Sequence, residues 1–376
     1  MNIKRIILGA VCSAMAVGGF AAEKTMTKQQ VINIVERVND HWQEEHPQPA
    51  FAFWHPAVYQ TGNMAAYEVT KKTAYKQYAL DWAEHNQWKG ATSDNRSEWK
   101  FSYGETAQYV LFGDWQCCFQ TYCDLYTLDG SQAPERIARA KEVMEYQMST
   151  PEKGYWWWAD ALYMVMPTMT KLYKATGNTQ YLDKLYEYFS FAKQLMYDPS
   201  TGLFFRDGKY VYPKHKTPEG LKDFWARGNG WVFAALAKVL ADLPKDNPHR
   251  AEYIEVYQRM AKKLTAYQQP EGYWTRSIID PVYVPGRETS GTALFTFAYL
   301  WGVNNGYLDR AAYQKTIAQA WHYLTTVALQ KDGTVGYVQP IGERADQNPN
   351  VGPTTTADFG VGAFLLAAAE MTRYVE

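Results

Sequence analysis

Two kinds of helical segment alternate along this chain. "TSGTALFTFAYLWGV" (289–303) and "FGVGAFLLAAAEM" (359–371) are apolar on all sides and rich in small residues, the pattern of helices packed all round. "YLDKLYEYFSFAKQLM" (181–196) differs: Leu182, Leu185, Tyr186, Phe189, Leu195 and Met196 recur at helical spacing, opposed by Asp183, Lys184, Glu187 and Lys193. Short polar turns such as "KATGNTQ" (174–180) and "NNGYLDR" (304–310) separate the two kinds. Inner-type helices begin near Ala57, Cys117, Ala161, Gly230, Gly291 and Gly360, which gives six hairpins in one array. The expected fold is all-α, an (α/α)6 barrel or six-hairpin toroid; a helical solenoid or two bundles are the alternatives. "LFFRDGKYVYP" (203–213) and "TVGYVQPIG" (334–342) read as strand-containing loops at one face. No Pro/Ser-rich linker interrupts residues 22–376, so they are expected to form a single domain.

The first residues are set aside from the fold. Lys4 and Arg5 precede an apolar run from Ile6 to Phe20, with small residues around Gly19 to Ala22, the layout of a signal peptide over 1–21. The run falls short of the roughly 20 apolar residues that span a bilayer. The mature chain is expected to be exported, to a periplasm or outside the cell, with no membrane partner. A net charge of -1 provides no basic field for nucleic acid. Cys117, Cys118 and Cys123 are spaced badly for disulfides and are expected to be free, buried thiols. No Cys/His cluster has zinc spacing, so neither metal nor cofactor is expected. Tryptophan, tyrosine and phenylalanine make up 16% of the chain, which supplies flat platforms for sugar rings as well as core, and a small oligosaccharide is the expected partner.

The chemistry concentrates at helix starts. In "GYWWWADALYMV" (154–165), Trp156, Trp157 and Trp158 precede Asp160 at the head of an inner helix, and in "GDWQCCFQTYCDLY" (113–126) Asp114 adjoins Trp115. Either aspartate could be a helix N-cap. Set against an aromatic wall, the two could instead form an acid/base pair, because desolvation raises a carboxyl pKa. In "DFWARGNGWVFA" (223–234), Arg227 and Trp231 lie four apart and share a helix face. The guanidinium suits bidentate recognition of a uronic acid carboxylate, or alternatively pairing with a structural acid. Tyr59, in "FAFWHPAVYQTG" (51–62), could offer its hydroxyl to a ligand or could pack.

Taken in order, "DWQCCFQTYCDLY", "WWWADALYM", "DFWARGNGWV", "ETSGTALFTFAYLWGVNNGYLD", "VGYVQPIG" and "FGVGAFLLAAAEM" resemble the unsaturated rhamnogalacturonyl hydrolases of glycoside hydrolase family 105, relatives of the unsaturated glucuronyl hydrolases. The resemblance spans nearly all of the mature chain. It implies an (α/α)6 barrel, without metal, that hydrates the C4–C5 double bond of an unsaturated uronic acid left by a polysaccharide lyase, as in unsaturated galacturonyl-rhamnose from the pectin component rhamnogalacturonan. It further implies that Asp160 protonates C4, that Asp114 assists, and that Trp158, Arg227, Trp231 and, more loosely, Tyr59 contact substrate. Three positions depart from the family pattern: Lys153 and Arg206 stand where histidines are expected, and Trp115 where a second aspartate is frequent. Other readings are an unsaturated glucuronyl hydrolase acting on glycosaminoglycan or ulvan fragments, a sugar epimerase on the same toroid, and a non-catalytic glycan-binding toroid.

Overall fold

The computed structural model describes residues 26–130 and 132–376, so the signal-like segment 1–21 lies outside the described residues. Among the described residues, twelve α-helices alternate between two shells. Six are outer: α1 Lys28–Glu45, α3 Thr73–His85, α5 Glu135–Ser149, α7 Gln180–Met196, α9 Arg250–Thr265 and α11 Arg310–Tyr323. The six inner helices are α2 Trp54–Thr70, α4 Cys118–Leu128, α6 Ala159–Thr176, α8 Ala226–Asp242, α10 Thr289–Asn304 and α12 Asp358–Tyr374. They start within about four residues of the positions expected from the sequence.

Burial separates the shells in the way the composition requires. Every residue of α10 from Thr289 to Gly302 is buried, whereas α7 buries only the stripe Tyr181, Leu182, Leu185, Tyr188, Phe189, Ala192 and Met196. The inner helices pack each on the next in chain order, and α12 packs back on α2, which closes the ring and makes the fold an (α/α)6 barrel. Closure needs backbones in near contact. A Cβ added at Gly62 would meet the Gly362 carbonyl oxygen at 2.3 Å, and one at Gly362 would meet that of Val58 at 2.5 Å. Pro167 interrupts the hydrogen bonding of α6, and the Tyr163 carbonyl four residues earlier accepts the Gln120 side-chain amide from α4 instead, at 2.7 Å.

The connecting loops are less regular than expected. Only β1 Tyr197–Asp198 and β2 Leu203–Phe204 pair as strands among the described residues. Residues 334–342 form no strand beyond the single bridge of Val335 to Leu329; their backbone serves the helices. The first amide of α10, Thr289 N, donates to Tyr337 O at 2.9 Å. The same arrangement recurs where Ala159 N donates to Arg206 O and Ala226 N to Arg276 O, both at 2.8 Å. Each of these loops, emerging from an outer helix, folds back over the inner helix before it and satisfies a first-turn donor that has no partner within the helix. Because successive inner helices run parallel, their N-termini share one mouth. Cys117, Cys118 and Cys123 are free and buried.

Gly362→Ala should therefore lower the unfolding free energy by about 1–3 kcal/mol through overpacking. Gly352→Ala, whose added carbon meets nothing within 4 Å, should stay within about 0.5 kcal/mol of the parent. Denaturant unfolding of the two variants checks the comparison.

Candidate active site

The second residues of the inner helices are His55, Phe119, Asp160, Arg227, Ser290 and Phe359, so all six stand at the mouth end of the ring. Three members of this set meet. Arg227 Nη1 lies 3.3 Å from Ser290 Oγ, and its guanidinium carbon lies 4.9 Å from the centre of the Phe359 ring. Asp160 is within electrostatic reach of Arg227.

Asp160 does not cap its helix; Trp158 occupies the N-cap position and makes no side-chain capping bond. The Asp160 side chain is 15% exposed, and its Oδ2 is buried without a hydrogen-bond partner. Arg206 Nε, also buried and unpartnered, faces it across 3.9 Å, too far for a direct hydrogen bond. Burial raises the Asp160 pKa above the ordinary carboxylate range, against the opposing pull of Arg206 and then Arg227. Arg206 is held by Asp207 at 2.6 Å and Glu343 at 3.4 Å, and lies 5.7 Å from the centre of the Trp157 ring.

Asp114 sits in a short 3-10 turn, Gly113–Trp115, ahead of α4. That turn lies against α6, since a Cβ at Gly113 would meet the Val165 and Trp158 side chains at 3.1 and 3.3 Å. Asp114 is buried, with no hydrogen-bond or ion-pair partner among the described residues. Burial first, and then the charge of Asp160, push its pKa well above the ordinary value. Two desolvated carboxyls thus compete for protons; Arg206 opposes the rise at both, and Arg227 opposes it at Asp160 as well. Such a pair can deliver a proton to a bound molecule and take one from water.

The expected substrate contacts fare differently. Arg227 is 1% exposed, and its terminal nitrogens donate to Gln339 O at 2.7 Å and Pro340 O at 3.0 Å. It anchors the loop before α12 rather than presenting a free fork to a carboxylate, and burial draws its pKa down to about 10. Trp231 is fully buried between Tyr163, at 4.9 Å between ring centres, and Trp54, at 6.3 Å, so it is wedged inside the ring wall. Tyr59 faces outward to α1: its hydroxyl donates to Asn39 Oδ1 at 2.8 Å and accepts from Gln43 Nε2 at 3.1 Å. It packs and does not reach the mouth. Trp158 is buried and stacks on Phe112 at 4.8 Å, backing the wall, while its neighbour Trp157 is the partly exposed ring beside Arg206. Lys153 is exposed and pairs with Glu187 on α7, whereas Arg206 stands beside Asp160. Missed in the sequence were Asp207 and Glu343, which grip Arg206, and the pair His55–Asp358, whose members lie 303 residues apart. No group of three or more His, Cys, Asp or Glu residues among the described residues could hold a metal ion.

Residues 22–375 match the model of Glycosyl Hydrolase Family 88. The chain belongs to that family. This family 88 glycoside hydrolase is 31% identical over 350 residues to the unsaturated 3S-rhamnoglycuronyl hydrolase of Formosa agariphila, covering 89% of each chain. A solved structure described as a family 88 glycosyl hydrolase from Bacteroides vulgatus is 55% identical, with a TM-score of 0.91 over 93% of this chain and all of that one. Another, described as a polysaccharide lyase, is 58% identical, with a TM-score of 0.90 over 93% of this chain and 98% of that one.

A carboxyl whose pKa is raised by folding opposes stability once pH exceeds its unfolded value, because the native state binds the extra proton. Asp114→Asn should therefore raise the thermal midpoint at pH 7, with the gain shrinking as pH falls toward the unfolded value near 3.8. Equal midpoint shifts at pH 4 and pH 8 would contradict the assignment.

Proposed function

We propose that this family 88 enzyme hydrates the C4–C5 double bond of an unsaturated uronic acid at the non-reducing end of a lyase-generated oligosaccharide, with rhamnose as the adjoining sugar. The observation that carries the reading is the buried, unpartnered Asp160 oxygen beside a second carboxyl with a raised pKa. The name of the Formosa relative, with its unsaturated glycuronyl group and rhamnose, supports the choice of substrate.

In this mechanism Asp160 gives its proton to C4, and positive charge develops over C5 and the ring oxygen. The carboxylate that Asp160 becomes on giving up its proton stabilises that charge, and burial strengthens the effect. Water then adds at C5 while a carboxylate of the pair takes its proton, so the pair ends with the proton count it began with. The hemiketal formed at C5 opens to a ketone by breaking its bond to the ring oxygen. The C1 hemiacetal this releases expels the adjoining sugar as an alcohol. One water is consumed overall, and no bond to the enzyme forms. Arg206, held in place by Asp207 and Glu343, and the Trp157 face supply the wall beside Asp160. The signal-like start supports an exported enzyme that meets its oligosaccharides outside the cytoplasm.

The 58%-identical structure described as a polysaccharide lyase favours a second reading, in which the site creates the double bond rather than consuming it. The two readings differ in the sign of one signal. Incubation with lyase-generated unsaturated disaccharides should lower the ultraviolet absorbance of the alkene, and Asp160→Asn, correctly folded, should slow that loss by roughly 10²- to 10⁴-fold. A rise in absorbance from the intact polysaccharide would establish the lyase, and binding without any change would leave only a glycan-binding toroid.

A further inference from the structure

His55 occupies on α2 the position that Asp160 holds on α6, Arg227 on α8 and Ser290 on α10. Its Nδ1 lies 2.6 Å from Oδ2 of Asp358, the first residue of α12, while the other Asp358 oxygen accepts the Phe359 amide at 2.8 Å. The carboxylate is therefore fixed by its own helix, and it fixes the imidazole in turn. A carboxylate only accepts, so Nδ1 carries a proton and directs it at Asp358, which leaves Nε2 as the free ring nitrogen. Nε2 has no hydrogen-bond partner among the described residues, and the side chain is 21% exposed.

The ring is aimed by aromatics that also flank the Asp114 turn. Phe51 lies 5.3 Å from the His55 ring and 6.4 Å from Trp115; Phe53 lies 6.1 and 4.7 Å from the same two. His55 thus stands beside the Asp114 turn, while Arg206 acts on both Asp114 and Asp160. A uronic acid that presents C4 to Asp160 carries its free hydroxyls at C2 and C3, on the edge opposite its C5 carboxylate, and these are the groups an imidazole at the mouth can meet.

We propose that His55 hydrogen-bonds a ring hydroxyl of the bound uronic acid through Nε2, with Asp358 as the positioning residue that fixes the imidazole through Nδ1. The proposal rests on the hydrolase reading above and adds the determinant by which the site would recognise the sugar's hydroxyl edge.

The test compares kcat/KM for an unsaturated uronyl disaccharide with that for analogues lacking the hydroxyl at C2 or at C3. Turnover of the parent disaccharide by the wild-type enzyme is the separate check on the hydrolase reading. One deoxy analogue should lose about 3- to 10-fold with the wild-type enzyme, the worth of one such hydrogen bond. His55→Phe should lose a similar factor on the parent disaccharide and become insensitive to that deoxygenation. His55→Asn, which keeps a donor toward Asp358 and lacks Nε2, should behave like His55→Phe and guards against a folding defect in the latter. If the His55 variants slow all three substrates by one common factor, or leave the parent's turnover unchanged, His55 serves the α2–α12 junction alone and the proposal fails.

Discussion

Closing a ring of parallel helices forces six N-termini into one mouth, and everything chemical in this protein follows from what that mouth does to charge. Helix N-termini carry partial positive charge and favour carboxylates. The aromatic wall strips water from the same groups and favours their neutral form. At Asp114 and Asp160 desolvation prevails and both pKa values rise, but unequally: Arg206 opposes the rise at both, and Arg227 adds its opposition at Asp160. That inequality separates two chemically identical side chains into a tighter and a looser proton holder. The opposite end of the ring has the complementary arrangement, with Lys171, Lys174 and Lys238 near the inner-helix C-termini. There Lys171 pairs with Asp124, and Lys238 Nζ donates to Gln120 Oε1 at 2.9 Å.

Holding carboxyls in this way costs stability, and the glycine contacts of the ring offset part of it by bringing α2 and α12 together at Gly62 and Gly362. Gln120 ties three inner helices together. It answers the carbonyl that Pro167 frees in α6 and also accepts from Lys238, so α4, α6 and α8 are locked in register directly beneath the residues that carry Asp114, Asp160 and Arg227.

The barrel was legible in the sequence because an inner helix must be apolar on every face and an outer helix on only one, a contrast that survives without any knowledge of contacts. Asp160 and Asp114 were legible as acids beside tryptophans at helix starts. Tyr59 was not, because one residue of helical phase decides whether it meets the mouth or Asn39 of α1. Arg227 misled for a different reason: its partners are backbone carbonyls more than a hundred residues away, and carbonyls leave no mark in a sequence. The segment 334–342 has strand composition yet uses its hydrogen bonds on the start of α10. His55 looked like a stray histidine in an aromatic stretch, and only closure of the ring brings Asp358 to it.

The account stands on proton delivery to an alkene carbon from the buried aspartate pair. Turnover of an unsaturated uronyl disaccharide in deuterated, ¹⁸O-labelled water, stopped early and read by NMR and mass spectrometry, tests this directly. The account predicts one deuteron at C4 and the heavy oxygen at C5, with none at C1 or on the departing sugar. Heavy oxygen at C1 with the C4–C5 double bond intact would mean direct cleavage of the glycosidic bond and would contradict it.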